Sequence, residues 1–138
     1  MTTAGPEASP NPVLIVDDNE DIRGALAMVL EQHGYSTAEA DNGAVALAML
    51  QRDHVAPCLI LLDLNMPVIS GVEFRHCQER DPALADIPVV IYSGTDDVRS
   101  VAQSLNIPHY FQKPLNLDAL VGLVRQHCPA VSGSRSGI

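Results

Sequence analysis

The sequence has no tryptophan and only one lysine, Lys113. Seven arginines supply its remaining positive charge, spread singly along the chain, against 17 acidic side chains and a net charge of −9. A nucleic-acid or anionic-lipid surface needs clustered Lys and Arg, so neither partner is expected. No apolar stretch approaches the ~18 residues of a membrane span. The first twelve residues carry neither a basic start nor an apolar run, and no signal peptide is read there. The three cysteines, Cys58, Cys77 and Cys128, show no CxxC spacing. They are read as buried or idle thiols in a reducing cytoplasm, with neither a disulfide framework nor a zinc site expected. The five histidines share no metal-ligand spacing either.

What is present is apolar. With 46% hydrophobic and 18% charged residues in a chain of 138, one domain with a sizeable core is expected. Residues 1–11 and 129–138 read as flexible tails and 12–128 as the folded unit. Within it, Val13–Val16, Leu59–Leu62 and Val89–Tyr92 are apolar on both faces, as strands sandwiched between helices must be. His109–Phe111 and Ser36–Ala40 are weaker strands. Helical stripes lie between them: Ile22 to Leu30, closed by His33-Gly34; Ala44 to Leu50; Val72 to Cys77; Val98 to Leu105, followed by Asn106; and Leu117 to Val124. Five β-α alternations predict an α/β protein with an open, doubly wound, five-stranded parallel sheet.

Ligands of such sheets bind beyond the carboxyl ends of the strands. There the chain places Asp17-Asp18, Asp63 followed by Leu64-Asn65-Met66-Pro67, Ser93-Gly94, and Gln112-Lys113-Pro114. Singly, each has an ordinary structural use, since Asp17, Asp18 or Asn19 could cap a helix and Ser-Gly or Lys-Pro could form a turn. Jointly they do not. Two carboxylates ~4 Å apart repel by about 4 kcal/mol at an effective dielectric near 20, and a third adds to this. Oxygen ligands without Cys or His favour a hard ion, and a partly solvated site suits Mg²⁺. Three carboxylates, one such ion and Lys113 bring the rim near neutrality, so an incoming phosphoryl group meets little repulsion.

This ordered set resembles the receiver domain of bacterial two-component response regulators, of the single-domain, chemotaxis-regulator-like kind, over about Pro12 to Cys128. The resemblance implies a (βα)5 flavodoxin-like fold with strand order 2-1-3-4-5. It implies a stand-alone, cytoplasmic phosphoprotein with Asp63 as phosphoacceptor, fed by a sensor histidine kinase or a histidine phosphotransfer protein. The Mg²⁺ ligands (Mn²⁺ being a substitute) would be Asp18, Asp63 and the Asn65 carbonyl, with Asp17 acting through water. Lys113, Ser93 and Gly94 would receive the phosphoryl group. Ser93 and Tyr110 would switch the face of helix four, strand five and helix five towards a downstream protein or a homodimer partner. Met66, Pro67, Gly71 and a cis-bonded Pro114 would shape the loops, Gly71 by adopting backbone conformations barred to other residues.

The chain departs from the pattern in places. Ser93-Gly94 stands for the commoner Thr-Ala, and Ser70 for a frequent acidic residue. The stretch from Ser93 to Tyr110 is short, with an acidic Thr95-Asp96-Asp97 start, so a short fourth helix is expected. About ten residues follow the fifth helix, too few for an output domain; a phosphorelay intermediate or the receiver of a hybrid kinase remains an alternative. A haloacid-dehalogenase-like phosphatase would need D-x-D after strand one, where this chain has D-D-N. The protein is therefore not expected to be an enzyme beyond its own phosphorylation and dephosphorylation. A degenerate receiver serving only for binding would lack part of the set, and none is missing.

Overall fold

Alternation along the strands decides which face of the sheet each residue joins. A computed structural model describes residues 11–64, 66, 70–94, 97–113 and 115–128. The strands are β1 (Val13–Val16), β2 (Thr37–Ala40), β3 (Leu59–Asp63), β4 (Val89–Ser93) and β5 (His109–Gln112). The helices are α1 (Glu20–Gln32), α2 (Gly43–Gln51), α3 (Gly71–Arg80), α4 (Val98–Ser104) and α5 (Leu117–His127). All strands are parallel, in the order β2-β1-β3-β4-β5. The expected doubly wound, flavodoxin-like sheet is what forms.

Each of the three central strands is buried along its whole length, because helices cover both faces. Leu14, Val16, Ile60, Leu62, Val89 and Ile91 face a core built with α2, α3 and α4. Val13, Ile15, Leu59, Leu61, Val90 and Tyr92 face the core built with α1 and α5. Edge strands β2 and β5 are largely exposed or half-buried. That is why they read weakly in the sequence.

Helix ends follow side-chain chemistry. Asn19, not either preceding aspartate, caps α1 by accepting the Ile22 N–H at 3.1 Å. Gly34 and Asn106 take positive φ, 91° and 58°, after α1 and α4. Ser70 caps α3 in a reciprocal box with Glu73, a use that explains a serine at this position. Helix α4 spans seven residues and Asp97 makes no side-chain cap bond, in line with the expected short start.

Two expectations are corrected. Cys58, just before β3, and Cys128, which ends α5, form a disulfide with Cα atoms 5.4 Å apart. The pairing spans 70 residues and packs in the α1/α5 layer, so no local spacing announced it; only Cys77 is free among the described residues. Gly71 does not have positive φ. It is glycine because a Cβ there would lie 2.8 Å from the Asp63 carbonyl oxygen and 2.8 Å from the Leu64 Cα. Close approach of α3 to the end of β3, not backbone freedom, excludes a side chain. The tail assignments at 1–10 and 129–138 lie outside the described residues, as do Thr95 and Asp96.

Candidate functional site

Asp63 ends β3 and Asp17 follows β1, and both continue the parity of Leu61 and Ile15 towards the α1/α5 face. Tyr92 is in register with Asp63, and Phe111, in register with Tyr92, shares that parity with Lys113 two residues on. Period-two geometry thus turns Asp17, Asp63, Tyr92 and Lys113 to one side at the carboxyl edge. Asp17 and Asp63 are buried, whereas Asp18 is exposed. Ligand-type oxygens of Asp17, Asp18 and Asp63 lie within 4.8 Å of one another.

Lys113 reaches this cluster, its Nζ 3.6 Å from Asp63 Oδ2. Its backbone N–H donates to the Ser93 carbonyl at 2.8 Å, which ties the lysine to the end of β4. The same ammonium stands 5.0 Å from the centre of the Tyr92 ring. Asp17 is held on both oxygens. Its Oδ1 accepts the Asn19 N–H at 2.8 Å and its Oδ2 accepts the Tyr92 hydroxyl. Arg23 Nη1 donates to the Asp17 carbonyl at 2.7 Å and its Nε pairs with Glu39 at 3.0 Å, fixing the turn after β1 from below.

Burial drives the Tyr92 hydroxyl well above its ordinary pKa near 10; the hydrogen bond to Asp17 and the charges of Asp17, Asp63 and Asp18 push the same way. It is therefore a fixed donor. Sequence reading placed Tyr92 in a strand and gave it no role. The available signal was a lone phenol in an aliphatic run, one residue before Ser93, since a buried tyrosine hydroxyl needs a partner.

Ser93 is fully buried at the end of β4, and Met66 is buried in the α2/α3/α4 core. At Gly94 an added Cβ would meet nothing within 4 Å, so there is room beside the site. Tyr110 is 38% exposed on edge strand β5. Asn65, Pro67 and Pro114 lie outside the described residues. The donor set fits a hard divalent cation: three clustered carboxylates, two of them buried, with one ammonium beside them.

Residues 13–125 match the response regulator receiver domain family. The chain belongs to that family. Its receiver is 34% identical over 115 residues to the phosphate regulon transcriptional regulatory protein PhoB of Pseudomonas aeruginosa, covering 82% of this chain and 49% of the relative. It is 31% identical over 121 residues to the sporulation initiation phosphotransferase F of Bacillus subtilis, covering 87% and 95%. Among solved structures, a response regulator receiver protein from Pseudomonas putida matches with a TM-score of 0.76 and 28% identity, over 86% of this chain and 99% of that one. Several curated relatives are longer, and the chain spans about half of their length or less. Receiver domains are signalling domains that accept a phosphoryl group on an aspartate, use Mg²⁺ at an acidic cluster and work with histidine kinases or phosphotransfer proteins. No helix among the described residues is long and apolar enough to cross a membrane.

Proposed function

We propose that this chain is a phosphorylation switch in which Asp63 accepts a phosphoryl group from a phosphohistidine of a sensor histidine kinase or a histidine phosphotransfer protein. A carboxylate oxygen of Asp63 attacks phosphorus and the P–N bond to the donor breaks. The electron pair stays with the imidazole, which takes up a proton. The observation that carries this reading is the approach of the only lysine in the sequence to 3.6 Å from Asp63, beside two further aspartates. Asp18, Asp63 and the Asn65 carbonyl are the proposed ligands of Mg²⁺, or of Mn²⁺ in its place. Asp17 acts through a water, a placement supported by the donors already on both its oxygens. When bound, the ion offsets charge on the transferring oxygens. Lys113 pairs with one phosphoryl oxygen, Ser93 donates its hydroxyl to another, and the open space at Gly94 admits the group.

Phosphorylation adds about −1.5 to −2 charge and three acceptor oxygens. Ser93 moves towards them, Tyr110 leaves its exposed position, and the face of α4, β5 and α5 changes for a downstream protein or a second copy. The site reacts stoichiometrically and does not turn over a substrate. Incubation with a radiolabelled kinase and Mg²⁺ is expected to label the wild type but not Asp63→Asn; equal labelling of both overturns it. A relay role, in which the phosphoryl group passes on to another histidine, is favoured by the likeness to the phosphotransferase F over nearly its whole length. Transfer of label from the phosphorylated chain to a phosphotransfer protein, without any target binding, distinguishes it.

A further inference from the structure

One side chain touches both signs of charge at the site. The Tyr92 hydroxyl donates to Asp17 Oδ2, and the face of its ring lies under the Lys113 ammonium, 5.0 Å away. Tyr92 is itself fully buried, in register with Asp63. It belongs to the buried core that β-strand residues Leu61 and Val90 share with Leu120, Val121, Leu123 and Val124 of α5. A buried carboxylate with an oxygen fixed by a rigid donor loses its rotational choices, and a cation over an aromatic face gains a preferred position.

We infer that Tyr92 is a positioning residue: its hydroxyl sets the orientation of Asp17 towards a divalent cation, and its ring holds Lys113 over Asp63. The inference rests on the reading of the acidic rim as a metal and phosphoryl site, and assigns that site a partner behind its ligands. Groups that orient metal ligands from behind are worth roughly 10- to 100-fold in metal affinity. Removing the hydroxyl alone leaves the ring, its packing and the lysine's position.

The absence of tryptophan makes the test direct, because tyrosine fluorescence is then unmasked and comes from Tyr35, Tyr92 and Tyr110 only. The whole chain is titrated with MgCl₂ alone, by calorimetry and by tyrosine fluorescence. Tyr92→Phe is expected to bind Mg²⁺ at least about 10-fold more weakly than wild type, and to lose the metal-dependent tyrosine signal. Tyr35→Phe and Tyr110→Phe are expected to keep that signal. In an Asp17→Asn background, Tyr92→Phe is expected to make no further difference to Mg²⁺ affinity, because the hydroxyl acts through that carboxylate. Equal Mg²⁺ affinity of Tyr92→Phe and wild type, or an undiminished effect in the Asp17→Asn background, overturns the inference. Should Tyr92→Phe not fold, the wild type and the two other tyrosine variants decide: loss of the metal-dependent signal on replacing Tyr35 or Tyr110 overturns it. A wild type that binds no Mg²⁺ instead sinks the proposed function itself.

Discussion

The two ends of the sheet treat polar groups in opposite ways. At the carboxyl end, Asp17, Asp18 and Asp63 gather like charges beside a single lysine, with their ligand-type oxygens within 4.8 Å of one another and the Lys113 ammonium 3.6 Å from Asp63. At the amino end, polar side chains are spent on the chain itself. Gln78, fully buried, donates from one amide to the carbonyls of Leu84 and Ile87, both at 2.9 Å, just before β4. Arg75 donates to Gln78 at 2.8 Å and to the Leu105 and Asn106 carbonyls at 3.2 and 3.3 Å, just before β5. The Cys58–Cys128 bond ties the start of β3 to the end of α5. One end is built for stability and the other carries electrostatic strain for function. The division is physical, because three carboxylates within 4.8 Å of one another repel and a single lysine offsets only one of their charges.

The strongest way to break this contrast is to remove the amino-end staple. Replacing Cys58 and Cys128 with serine frees a loop of 70 residues, and chain entropy alone makes that worth about 4 kcal/mol. Urea unfolding of the double variant should show this loss, while its Mg²⁺ affinity stays at the wild-type value. A matching change in Mg²⁺ affinity would mean the two ends are coupled. Next, Gln78→Leu leaves the Leu84 and Ile87 carbonyls and an Arg75 proton without their partner, at about 3 kcal/mol; thermal unfolding reads it.

At the carboxyl end the sign reverses on adding a ligand. Mg²⁺ at 100 times its Kd should raise stability by about 2.7 kcal/mol, and chelation by EDTA should return it to the starting value. Asp63→Asn should shrink this gain, since a ligand and part of the repulsion go together. The smallest stability change is expected from Lys113→Met. Its ion pair with Asp63 is partly exposed and worth no more than about 1 kcal/mol. Its effect on phosphotransfer should nevertheless be near complete, so stability and labelling measured on one preparation separate the two kinds of contribution.

Much of the carboxyl end was legible because its residues announce themselves locally. Asp17-Asp18, Asp63, Ser93 and Lys113 each sit at the end of an apolar run, and strand alternation then orients them without further information. Tyr92 was not legible, since its partner is 75 residues away and a tyrosine in a strand usually serves packing. Arg75 and Gln78 were hidden for a similar reason: sequence reading assigned neither a role, yet both are buried and donate to loop carbonyls that precede β5 and β4. Gly71 was read as needing an unusual backbone angle, when the constraint is the nearness of Leu64.

The order of apolar runs and amphipathic stripes determined, by itself, the five β-α units and the edge at which the acidic residues meet, because those patterns depend on neighbours two to four positions apart. Tertiary structure alone decided which cysteines bond, which aspartate is capped by a phenol and which helix braces the loops below the sheet. Each of those pairings joins side chains from separate elements, and no periodicity within one segment carries information about a surface that a different segment will supply.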